Sequence, residues 1–137
     1  MTQLAFKQSS HLNPELQTDN GNVEKLLGRW FNTNRETRGI AECTIAREGN
    51  AIKVSIVGVG DEGPIAWPTV NAHALANLEE EAGQRTGALM ATVEFGFMRA
   101  ETHIRINKGV LVIVIFAAFL DDSGRSNYLT REFFYPG

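Results

Sequence analysis

Between Gly28 and Tyr135 the chain is cut by short turn signals into eight strand-length segments, at roughly 28–35, 38–47, 51–59, 65–77, 88–97, 100–107, 110–120 and 127–135. The breaks fall at Glu36-Thr37, Glu48-Gly49-Asn50, Gly60-Asp61-Glu62-Gly63-Pro64, 79–87, Met98-Arg99, Lys108-Gly109 and 121–126. Several carry the Gly, Asn and Asp residues that hairpin turns use for positive φ. Parallel pairing would need crossover connections of a dozen or more residues, so connections this short predict an antiparallel meander. Eight strands is also the number at which a sheet closes around side chains or one small ligand. The expected fold is therefore all-β, an eight-stranded antiparallel up-and-down β-barrel.

Residues 1–23 are read as an N-terminal arm and 24–137 as a single barrel domain. Asn13-Pro14-Glu15 has the form of a helix start with Pro at the first position. Val23 to Leu27 predicts one helical turn that leads into the first strand. The charged stretch 78–87 reads as a solvated loop.

Period-two alternation assigns the faces. Ile52, Val54 and Ile56 oppose Lys53 and Ser55, and Leu89, Ala91, Val93, Phe95 and Phe97 oppose Met90, Thr92 and Glu94. Thr102, Ile104 and Ile106 oppose Glu101, His103 and Arg105. In 65–77, Trp67, Asn71 and His73 fall on one face. Val110 to Leu120 does not alternate at all. It is apolar on both faces, so both should be covered, and the expected cover is a second copy of the chain, with the N-terminal arm as the alternative.

The formal net charge is -3 and the Arg and Lys residues are scattered singly. Nucleic-acid or anionic-membrane surfaces favour a clustered basic face, so neither partner is expected. The Val110–Leu120 run falls short of the roughly 20 apolar residues that a spanning helix needs. Met1 to Ser10 lacks the apolar core of a signal peptide. Cys43 is the single cysteine, which excludes an internal disulfide and suits a reducing cytoplasm. His11, His73 and His103 have no metal-ligand spacing, so neither metal nor cofactor is expected.

Gly28-Arg29-Trp30 at the start of the first strand and Arg131 in the last resemble the calycins, the lipocalin and streptavidin-like barrels. The resemblance implies that Trp30 plugs the closed end and Arg131 stacks on its indole, a contact worth roughly 0.5–2 kcal/mol when shielded. Gly28, Trp30 and Arg131 would then be structural, and a ligand would enter at the opposite end. The chain departs from lipocalins in its length and lack of a cysteine pair, and no biotin-contact pattern is present.

Polar and aromatic residues on the strands supply the candidate chemistry. Trp67, Asn71 and His73 could stack a planar ligand and bond its edge, with Phe95, Phe97 and Arg105 as further ligand contacts. Ile52, Val54, Ile56, Val112, Val114 and Phe116 would complete an apolar wall. Glu94, His73 and His103 are the acid–base candidates, because a carboxylate turned inward loses solvation and shifts towards catalytic pKa values. Against this stands a solvated outer face with cross-strand ion pairs. The leading expectation is binding of a small, largely apolar or planar molecule. The alternatives are a cofactor-independent cyclase or isomerase acting inside the barrel, and a packed homodimer whose 110–120 face is the functional surface.

Overall fold

The computed structural model describes residues 23–76, 78 and 86–137. The arm 1–22 and most of the 78–87 loop lie outside the described residues. A 3₁₀ turn, Glu24–Leu26, leads into β1 (Gly28–Asn32), followed by β2 (Ile40–Glu48), β3 (Ala51–Gly60), β4 (Gly63–Ala66), β5 (Val70–Leu75), β6 (Ala88–Phe95), β7 (Met98–Asn107), β8 (Val110–Phe119) and β9 (Tyr128–Pro136). Every pairing is antiparallel, and β1 pairs with both β2 and β9 to close the ring. β4 and β5 both pair with β3, at its upper and lower ends, so they share one position in an eight-stranded closed barrel. No helix among the described residues is long and apolar enough to cross a membrane.

The predicted 65–77 strand is thus interrupted. Pro68 cannot donate to a ladder, and Trp67 to Thr69 leave it. Val57 pairs with Ala66 but Val54 with Val70, so one extra residue enters and the alternation resets. Trp67 consequently turns inwards while Asn71 and His73 face out. A second correction concerns the β6–β7 turn, placed at Gly96-Phe97 instead of Met98-Arg99. Phe95 pairs with Met98, and Gly96 takes φ 61°, a left-handed conformation that glycine adopts without steric cost.

Register fixes which side of β8 faces the lumen. Ile104 of β7 pairs with Ile113, and Thr102 with Ile115. Leu111, Ile113, Ile115 and Ala117 therefore point inwards and are at most 3% exposed. Val112, Val114 and Phe116, expected in the ligand wall, lie on the outer face. Leu26, Trp30, Cys43, Ile45, Val54, Leu89, Ile104, Leu111, Ile113 and Phe134 belong to one buried apolar cluster in the barrel interior. Thr102, fully buried, is satisfied by donating its hydroxyl to the Ala91 carbonyl at 2.8 Å.

Burial without a polar partner pushes the Cys43 thiol up to about 12. In the unfolded chain the thiol ionises near its ordinary value of 9.0. Above that pH the unfolded state holds fewer protons than the native one, so stability falls by about 1.4 kcal/mol per pH unit until the folded pKa is reached. Cys43→Ala should flatten this alkaline slope in urea titrations between pH 9 and 11, and thiol reagents should label Cys43 only on unfolding. Labelling of the native protein at pH 8 would contradict this burial.

Candidate functional site

The two ends of the barrel differ chemically. At the lower end the 3₁₀ turn folds under the lumen, with Leu26 fully buried. The Trp30 indole N–H donates to the Leu26 carbonyl at 2.9 Å and fixes the plug to β1. The hydrogen bond and the buried Leu26 side chain together anchor the turn at the base.

The upper end is formed by the 33–39 loop, the β6–β7 turn and the 120–127 loop. Here Glu132 on β9 pairs with inward-facing Ile113, and so turns its carboxylate to the inner side. One oxygen accepts from Asn32 Nδ2 at 2.7 Å and Thr37 Oγ1 at 2.5 Å; the other accepts from the Ile40 backbone N–H at 3.2 Å. Asn32 is itself buried, and its Nδ2 also donates to the Ile40 carbonyl at 2.8 Å while its Oδ1 accepts from the Asn34 N–H at 2.7 Å. The Thr37 hydroxyl receives the Gly39 N–H at 3.0 Å. Gly39 is required by this contact, because an added Cβ would overlap the Glu132 carboxylate. The network straps the first loop across the top of β9.

Beside that network an open recess of about 500 Å³ lies at the rim, lined by Asn34, Glu36, Thr37, Arg38 and Gly39 of the first loop and by Tyr128, Thr130, Arg131 and Glu132 of β9. Its size falls within the range of small-molecule sites. Tyr128 is pushed up in pKa by partial burial, with the Glu132 charge adding, so its phenol remains a proton donor at neutral pH.

From Tyr128 an arc of rings continues around the rim. Tyr128 and Phe119 have centroids 6.2 Å apart, Phe97 and Phe95 are edge-to-face at 5.6 Å, and Phe95 meets Trp67 at 5.1 Å. The Arg125 guanidinium bridges the two halves, 4.4 Å from the Phe119 centroid and 5.1 Å from that of Phe97. Trp67 is seated over Gly58, where a Cβ would come within 2.7 Å of its Nε1. Close backbone approach of this kind needs a glycine.

The chain matches no protein-family model, no curated protein and no solved structure. Its site is defined by the barrel's own geometry.

Of the ligand contacts expected from the sequence, Trp67, Phe95 and Phe97 meet at the upper rim. Asn71, His73 and Arg105 lie on the outer face. His103 and Arg105 line a separate outer groove of about 290 Å³ with Leu75, Met90 and Val114, and His73 sits across from Met90. His103 lies 3.5 Å from Glu101 and beside the Phe116 ring. Glu94 faces solvent at 57% exposure, 3.6 Å from Arg99. The three acid–base candidates are therefore not assembled within the lumen. Nor does Arg131 reach Trp30: it points outwards, over the Phe133 ring at 5.5 Å. Gly28 takes φ 130° as the chain enters β1. Among the described residues no cluster of three His, Cys, Asp or Glu side chains could hold a metal ion.

Glu132 and Tyr128 are the residues missed. Both belong to a segment, Tyr128 to Tyr135, with aromatic and charged residues on both faces. Only pairing with β8 tells inside from outside there.

Proposed function

We propose that this protein is a calycin-like barrel that binds a small amphipathic molecule at its upper mouth without transforming it. The observation carrying this reading is the recess of about 500 Å³ beside the Glu132 network, which meets the aromatic arc at Tyr128. The recess offers hydroxyls and charges of both signs, from Thr37, Thr130, Arg38, Arg131 and Glu132, and a ring at Tyr128, where the aromatic arc begins. Glu132 already accepts from three donors, which suits positioning better than proton transfer. Gly28, Trp30 and the 3₁₀ plug support the calycin likeness, from which outward-facing Arg131 departs. The lone buried Cys43 is in keeping with a reducing compartment such as the cytoplasm.

The outer face of β8 and β9 favours a second role for the same chain, self-association. Phe116, Leu129, Phe133 and Tyr135 stand there 41–63% exposed. They form an apolar surface of the kind that marks interfaces. Native mass spectrometry of protein purified from its own host tests both readings in one spectrum. A stoichiometric small molecule and a dimer mass are expected, the dimer collapsing to monomer in Leu129→Glu. A clean apo mass under conditions that preserve other complexes would count against binding, and a concentration-independent monomer against the dimer.

A further inference from the structure

The aromatic rim already holds a cation, and its source is the chain itself. The 120–127 loop is tied to the β6–β7 turn by the Leu120 N–H, which donates to the Phe97 carbonyl at 2.8 Å. At its base the Phe119 N–H donates to Asn127 Oδ1 at 2.9 Å. Within the loop, Arg125 reaches Asp121 Oδ2 at 3.0 Å and Ser123 Oγ at 2.9 Å. Its guanidinium is presented to rings from two different hairpins, Phe97 and Phe119. A planar delocalised cation, stacked on aromatic faces and paired with a carboxylate, uses each property that distinguishes guanidinium from ammonium.

The arrangement remains accessible. The Arg125 side chain is 49% exposed and Phe97 is 42% exposed. Among the described residues the polar partners of Arg125, Asp121 and Ser123, lie in its own loop, so the box can lose the guanidinium without breaking a hydrogen bond of the barrel strands. The arc leads through Phe119 and Tyr128 directly into the recess, and Asp121 and Asp122 place negative charge at its border.

We propose that Phe97, Phe119 and Asp121 form a binding box for a planar amidinium- or guanidinium-bearing ligand, which Arg125 occupies as a tethered stand-in until the ligand displaces it. This rests on the reading of the upper mouth as a ligand site and names the chemistry that it selects. The ligand's cation would stack between the two rings and fork onto Asp121, while its neutral remainder extends past Tyr128 into the recess.

Calorimetric titration of the full chain with benzamidinium, and with benzamide as its neutral counterpart of the same shape, tests the box. Removing Arg125 in Arg125→Ala should tighten benzamidinium binding roughly tenfold, because a tethered competitor acts at about millimolar effective concentration. Benzamide should respond far less. Arg125→Gln, which keeps a hydrogen-bonding side chain on Ser123 without the charge, should reproduce the gain if alanine disorders the loop. Adding Phe119→Ala to either variant should abolish it. Equal binding of the two probes by both folded variants would overturn the cation box and leave the mouth as a site for neutral ligands. Binding of neither probe, with a ligand still retained in native spectra, would also overturn the box alone. Binding of neither, with a clean apo mass, would overturn both readings.

Discussion

Glu132→Ala is expected to destabilise the barrel by about 3–4 kcal/mol, although Glu132 lies near the rim. Hydrogen bonds to an ionised group contribute about 1.5–3 kcal/mol each, and an abandoned buried partner adds its own desolvation cost. Three donors converge on this carboxylate, from Asn32, Thr37 and Ile40. Their sum overstates the effect, since water can replace part of the carboxylate at a partly open site. Glu132→Gln should recover only part of the loss. Both oxygens face donors, so one of them must become an NH₂ group directed at another donor, in the best case the Ile40 N–H. Urea unfolding of the three proteins, with Glu94→Gln as reference, measures this directly. The Glu94–Arg99 pair is solvent-exposed, and its removal should change stability by at most about 0.5 kcal/mol. A Glu132→Ala cost below about 1 kcal/mol would mean that the strap does not hold the loop. The same variant should lose any ligand of the recess, because Thr37 and Gly39 form part of its lining.

Trp30→Ala should cost about 3–5 kcal/mol, the range for deleting a large buried aromatic side chain. Two losses coincide at this position. The indole, 4% exposed, fills the base of the lumen, and its N–H is the donor that satisfies the buried Leu26 carbonyl. Trp30→Phe separates them: most of the volume stays, the donor goes, and about 1–3 kcal/mol should be lost. Arg131→Ala distinguishes the observed packing from the stack that the calycin resemblance implied. With Arg131 on the outer face, its removal should shift the denaturant midpoint little and, in a Trp67→Phe background where Trp30 is the one indole, leave the fluorescence unchanged. A clear shift of the Trp30 emission maximum in that background would place Arg131 back at the base.

Alternation and turn chemistry were sufficient for the architecture, because both are local. Lys108-Gly109 illustrates this: both residues take positive φ, 53° and 83°, in a two-residue hairpin between β7 and β8, the geometry that such turns require. The inward sets of β3, β6 and β7 were equally legible, since one face of each is plainly apolar. Legibility ended at β8, where both faces are apolar, and at β9, where both are mixed. A two-residue period defines two faces but does not say which is inside unless they differ in polarity.

The site fell in those unreadable places. Glu132 and Arg131 are adjacent and both charged, and the resemblance selected Arg131. Pairing of Ile113 with Glu132 selects the other. Trp67 was separated from Asn71 and His73 by a single extra residue beside Pro68, which reverses the parity of everything before it. The sequence by itself thus determined an all-β chain, turns such as Lys108-Gly109 and the apolar faces of its alternating strands, all of which depend on residues a few positions apart. The tertiary structure alone decided the inner face of β8 and β9, the position of Trp67 and the meeting of Glu132 with Asn32 and Thr37. Those depend on register between strands up to a hundred residues apart, and a shift of one residue in that register exchanges lumen for solvent.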